Sequence, residues 1–215
     1  MAVSGAKRGP KPDRGIITRN AILDAAESIF ADLGFSAARL EDVAVLVGIR
    51  RASLVYYFRN KQELYDEVEA RIFSALGASV SSAIVDRTDP WERIDALVDG
   101  WFEFMLARPT AARIITRVIA DISPRTSNPV EFSEATLMMM EQVISEGITA
   151  GAFAPFRPVH FVNTVGASIL YFVCTGPLYG EERAFDPADR AEIALFKQAL
   201  QIMTRALLSP VKSSA

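Results

Sequence analysis

Cysteine and histidine are almost absent from this chain: Cys174 and His160 each stand alone among 215 residues. A single thiol cannot close a disulfide within the chain, and one thiol with one imidazole cannot assemble a Cys/His zinc site. Long apolar runs are missing too. The longest, over 165–173, falls far short of the roughly 20 residues that a membrane-spanning helix requires, so no membrane partner is expected. The first fifteen residues are mostly small, basic or proline and lack the apolar core of a signal peptide, which points to a cytoplasmic protein. There is no Gly-x-Ser-x-Gly elbow, no glycine-rich phosphate loop and no cluster of metal ligands. No cofactor is implied, and the scarcity of nucleophile–base pairs makes an enzyme the weaker reading.

Regular strand alternation is lacking as well. Apolar residues instead recur at spacings of three and four from end to end, which predicts an all-α fold of about nine helices. The first runs over 18–33, with Thr18 as N-cap and Gly34 as its stop. Short helices follow near 40–46 and 50–57, and a longer one runs over 61–82. Asp89-Pro90 opens the next helix as N-cap and first residue. Others follow over 110–120, 130–149 and 159–175, and Asp186-Pro187 opens a last one that reaches 208. The stretch 123–129, rich in Ser and Pro, reads as a loop.

Charge divides the chain. Residues 1–62 hold ten Lys and Arg against six acids, a net of +4, whereas the remainder holds thirteen against twenty, a net of −7. A basic head on an acidic body suits a protein that turns one end toward nucleic-acid phosphates. The expected organisation is a mobile basic arm over 1–14, a three-helix DNA-binding domain over 15–62, a helical effector-binding and dimerisation domain over 63–208 and a mobile tail over 209–215. The arm, with Lys7, Arg8 and Lys11 among prolines, is suited to a narrow minor groove or to keeping the chain soluble.

Two short helices joined at Gly48 form a helix-turn-helix, the unit that lays its second helix in the major groove. Leu40, Val43, Val47, Ile49 and Leu54 can pack on Ile22, Ala26 and Phe30. Arg50, Arg51, Ala52 and Ser53 then face outward at the start of the second helix. Paired arginines are unfavourable at a helix N-terminus, where the dipole is already positive, and a phosphate or a guanine edge would supply the missing partner.

The residues from Arg19 to Ala26, then Phe30, Gly34-Phe35, Asp42-Val43-Ala44, Val47-Gly48-Ile49, Leu54-Val55-Tyr56-Tyr57-Phe58 and Lys61, closely resemble the DNA-binding domain of the TetR family of bacterial transcriptional regulators. The resemblance covers about 18–64. It implies that Tyr56, Tyr57 and Lys61 touch phosphates, that Arg50, Arg51 and Ser53 reach bases or backbone, and that Arg19 belongs to the same surface. Three positions depart from the family pattern: Ala38 replaces a capping threonine, Arg50 a capping serine and Val55 a tyrosine.

The remainder carries no motif of its own. The helix over 159–175 is apolar nearly all round, and the last helix has two apolar stripes, Ile193-Phe196-Leu200-Met203-Leu207 and Leu195-Ala199-Ile202-Ala206. Such surface calls for cover from the chain's own core and from a second copy. The resemblance also implies a homodimer through the last two helices, which would suit a palindromic operator in duplex DNA. Val162, Gly166, Ile169, Phe196, Leu200 and Met203 are the expected interface residues. An apolar small-molecule effector is expected among Phe73, Trp101, Phe102, Met105, Met139, Asn163, Ser168 and Tyr171, because Met and aromatic clusters make adaptable pockets. The resulting reading is a repressor released from its operator by a small apolar ligand. Its alternatives are a helical ligand-binding or adaptor protein without specific DNA binding, and an enzyme.

Overall fold

The computed structural model describes residues 14–120, 131–176 and 185–210, and the secondary structure there is entirely helical. The residues 1–13 of the basic arm, the loop over 123–129 and the tail from 211 lie outside the described residues. The helices are α1 (Arg14–Ala37), α2 (Leu40–Val47), α3 (Arg51–Tyr57), α4 (Lys61–Ile84), α5 (Pro90–Ala107), α6 (Pro109–Ala120), α7 (Glu131–Thr149), α8 (Pro158–Cys174) and α9 (Arg190–Leu208).

Local chemistry sets most boundaries. In α1 the regular helix stops at Leu33, because Gly34 takes φ 76° and ψ 170°, a region open essentially to glycine alone. The helix starts before Thr18, which lies inside it and is not its cap. Gly48 ends α2 in the left-handed conformation at φ 75°. Its N–H bonds to the Val45 carbonyl at 3.1 Å and that of Ile49 to Ala44 at 3.0 Å, the paired closure of a Schellman motif. Side chains cap the start of α4: Asn60 Oδ1 accepts the Glu63 N–H at 2.8 Å, and Glu63 Oε2 accepts the Arg59 N–H at 2.8 Å, one residue short of a regular capping box. Asp89 caps α5 as expected, its Oδ1 accepting from Trp91 and Glu92 at 2.9 Å each. Asp186-Pro187 does not open the last helix. Asp186 instead closes a preceding turn by accepting the Ala188 N–H at 2.8 Å, and Asp189 caps α9 by accepting from Ala191 and Glu192.

The chain divides into two compact units, residues up to Glu67 and residues from Val68. In the first, Ile22, Ala26, Phe30, Val43, Leu54, Phe58 and Leu64 form the core, with α2 packed on α1 and on α3. Tyr65 sets its ring edge against Phe30 at 4.8 Å and Phe35 at 5.1 Å. In the second, α8 packs against α5, α6, α7 and α9. That explains its nearly all-round apolar surface: Phe161, Val162, Val165, Ile169 and Phe172 are buried by the same chain. A second subunit is not needed to cover them.

Candidate functional site

Neither short helix of the first unit has a side-chain cap; the capping residues are Arg39 for α2 and Arg50 for α3. Leu54 is fully buried and pins α3 to the core. One helical turn back, Arg50, Arg51, Ala52 and Ser53 are all exposed. The Arg51 Nε lies 2.9 Å from Glu41 Oε1, with both side chains more than half exposed. A pair of this kind contributes at most about 1 kcal/mol and opens readily for a stronger anion. Tyr56 is 85% exposed and Tyr57 half-buried, and their rings meet edge to face at 5.3 Å. Of these six residues all but Tyr57 are exposed, and they offer two arginines, a hydroxyl and two phenols.

The other two expected DNA contacts are placed differently. Lys61 turns its ammonium onto backbone, donating to the carbonyls of Phe35 at 2.6 Å, Ser36 at 3.2 Å and Ala38 at 3.0 Å. It also lies 4.5 Å from the centre of the Phe35 ring. An ammonium has three N–H groups, and here each has a main-chain acceptor. Arg19 is ion-paired with Glu67 and stacks over Phe58 at 5.0 Å. Sequence pattern could not reveal this, because the acceptors of Lys61 are main-chain oxygens whose positions depend on the break at Gly34.

The second unit holds a cavity of about 600 Å³ walled by five helices. Phe73 and Leu76 come from α4, Trp101 and Met105 from α5, Ile115, Val118 and Ile119 from α6, Ser133, Thr136, Leu137 and Met140 from α7, and Val162, Asn163, Gly166, Ala167 and Leu170 from α8. Among the described residues no charged side chain lines the cavity. Four of the expected ligand residues, Phe73, Trp101, Met105 and Asn163, therefore meet at one wall. The other four do not. Phe102 is fully buried between Phe172 and Phe196, at 5.4 and 5.3 Å. Met139 points elsewhere because one residue turns a helix by about 100°, and its neighbour Met140 lines the cavity instead. Ser168 and Tyr171 lie in a separate open groove between α8 and α9. The stripe Ile115, Val118, Ile119 on α6 lies outside the expected set, although its three-and-four spacing is a legible signal of one face.

The expected interface residues are mostly used inside the chain. Val162 and Gly166 line the cavity, and a Cβ on Gly166 would lie 2.7 Å from the Trp101 ring, so this glycine admits an indole rather than a second copy. Ile169 and Leu200 are buried, and Phe196 stacks on Phe172 at 4.2 Å. Met203 is half-buried, its sulfur 3.9 Å from the Ser168 hydroxyl. The second stripe of α9 faces out instead. Leu195 is 61% and Ile202 64% exposed, with Ala199 and Ala206 between and beyond them.

Comparison with known proteins places these features. The family described as bacterial regulatory proteins, tetR family, matches residues 22–68, which span the helix-turn-helix and the capped start of α4. The repressor KstR2 of Mycolicibacterium smegmatis is 26% identical over 182 residues, covering 80% of this chain and 87% of that protein. The regulator RutR of Escherichia coli K12 is 24% identical over 214 residues, covering 99% of each. The structure of AibR in complex with isovaleryl coenzyme A and operator DNA shares the fold, with a TM-score of 0.68 at 18% identity over 90% of this chain and 100% of that one. Among the described residues no helix is long and apolar enough to cross a membrane. Residues 22–68 match the tetR family of bacterial regulatory proteins, and the chain is a DNA-binding transcriptional regulator similar to KstR2 and RutR along most of its length.

Proposed function

We propose that this regulator is a cytoplasmic homodimeric repressor that leaves a palindromic operator when a small, uncharged, apolar molecule fills the five-helix cavity. The observation that carries this reading is the cavity wall. Its volume of about 600 Å³ suits a small organic ligand, and its lining offers apolar surface with Ser133, Thr136 and Asn163 as neutral polar groups. Among the described residues the indole Nε1 of Trp101 is buried without a hydrogen-bond partner, and Thr136 already donates to the Phe73 carbonyl at 3.1 Å. A sugar phosphate buried there would lose its hydration without gaining a counter-charge. The solved relative AibR, held with an acyl thioester and operator DNA, is a precedent for ligand and DNA acting on one such protein.

Base and backbone contacts fall to Arg50, Arg51, Ser53, Tyr56 and Tyr57, with Ala52 small enough to let the helix approach closely. The second copy is held by the outward stripe Leu195, Ala199, Ile202 and Ala206 together with the α8 face around Ala167 and Tyr171. Helix α4 contributes Lys61 to the first unit and Phe73 and Leu76 to the cavity wall, so a ligand that displaces α4 has a covalent route to the DNA-binding helices. The test is a titration of branched and unbranched apolar metabolites against the protein with and without operator. An inducer must bind more weakly when operator is present, by the same factor that it lowers operator affinity. A ligand bound equally tightly in both cases is not the inducer. Leu137→Trp, which narrows the cavity, should abolish the response and leave operator binding intact.

A further inference from the structure

We propose that Lys61 is a positioning residue for the recognition helix and not a phosphate ligand. The inference rests on the reading of α3 as the DNA-binding helix. The carbonyls of Phe35, Ser36 and Ala38 sit where α1 has ended and the chain turns through Gly34 toward α2. Phe35 and Ser36 follow the break at Gly34, and Ala38 directly precedes the N-cap residue of α2. The Lys61 ammonium gathers the three into one cluster, roofed by the Phe35 ring at 4.5 Å. That ring is held in turn by Tyr65 at 5.1 Å and Phe30 at 6.4 Å.

The corner matters because α2 starts without a side-chain cap, held there by the Ala38 N–H bond to the Gly34 carbonyl at 3.2 Å and by packing on α1. Its N-cap residue Arg39 makes no side-chain cap bond, and Ala38 before it has no hydroxyl to offer. Ala38 is nevertheless buried, and its carbonyl is one of the three that Lys61 holds. Lys61 therefore anchors the entry to α2 from the capped first turn of α4. Helix α2 packs on α3, so the anchor sets how Arg50 and Arg51 are presented. A direct phosphate contact would require the ammonium to abandon these carbonyls.

Charge and geometry can be separated by substitution in the full chain. Lys61→Met keeps the apolar stem and removes the charge. Lys61→Arg keeps the charge, but its flat guanidinium fork cannot converge on three carbonyls around one atom. Affinities are measured for an operator selected from a random library and for a random duplex, across salt concentrations. Both variants should lose at least about tenfold in operator-over-random discrimination while binding the random duplex as wild type does, with an unchanged salt slope. Wild-type behaviour of Lys61→Arg, together with weaker random-duplex binding and a slope smaller by about 0.9 in Lys61→Met, would overturn the proposal. Should the variants not fold, the wild-type ammonium can be followed by nitrogen-15 NMR. Coupling from Nζ to the carbonyl carbons of Phe35 and Ala38 that survives operator binding supports the role, and its replacement by coupling to phosphorus refutes it. A wild-type protein that selects no DNA at all would overturn the DNA-binding reading itself.

Discussion

At the scale of single residues, Arg51 combines exposure with a weak partner. Its pair with Glu41 is solvated on both sides, so exchanging that carboxylate for a DNA group costs little. Arg51→Ala should weaken operator binding by about 1–3 kcal/mol and relax discrimination at one base position, as measured by fluorescence anisotropy. Unchanged affinity would mean that α3 is presented differently. Gly48 has open space around its missing side chain, so substitution there is governed by backbone alone. Gly48→Ala should cost about 1–2 kcal/mol in thermal or urea unfolding, the strain of a left-handed residue with a Cβ. Gly166→Ala is the contrasting case. Its φ is ordinary, but the new methyl would meet the Trp101 ring, so the cost appears as overpacking and as a change in Trp101 fluorescence.

At the scale of elements, α9 carries the separation that the sequence could not make. Both of its stripes are apolar and both have helical spacing, so periodicity alone cannot say which one meets the chain's own core. Packing decides it: Phe196 and Leu200 turn in, and Leu195 and Ile202 turn out. Leu195→Glu combined with Ile202→Glu should therefore yield a folded monomer by sedimentation, whereas Leu200→Glu should unfold the second unit because a buried charge has no partner. A double variant that remains dimeric would remove this face from the interface. The polar side of α9 is held to α5 by Lys197, which lies 3.2 Å from Asp99 and 3.0 Å from Glu103, and by the Arg205–Asp95 pair beneath Trp91. Burial pulls the Lys197 pKa down, but its hydrogen bonds to Glu103 and Asp99 outweigh that and raise it above the ordinary 10.5. A raised pKa in the folded state means that its stabilisation is complete below 10.5 and is lost as pH climbs through the higher value. Lys197→Met should flatten that alkaline loss in unfolding titrations.

Other elements were readable for identifiable reasons. Asp89-Pro90 and the glycine turn at Gly48 are local signals, and local chemistry honours them. Asp186-Pro187 carries the same signal as Asp89-Pro90, yet it closes a turn because Asp189, three residues on, is the better placed cap. The cavity was half legible. Its aromatic and Met members stand out by type, whereas Leu137, Ile115 and Val118 become distinctive only when five helices are assembled around one space. Lys61 marks the limit of motif matching, since its partners are three carbonyl oxygens.

At the scale of the whole molecule, two functions are joined through one dimer. Operator affinity requires two recognition helices that meet successive major grooves, about 34 Å apart along the duplex. Effector binding opposes it only if the ligand favours a form in which that spacing is lost. The most direct measurement is selection of DNA from a random library by the purified full chain, repeated with Arg50→Ala and Arg51→Ala. The expected product is a two-fold-symmetric sequence whose half-sites lie one helical turn or a whole multiple apart, with enrichment reduced in each variant. A library that emerges without enrichment, or an enriched site that both variants bind as wild type does, would contradict it.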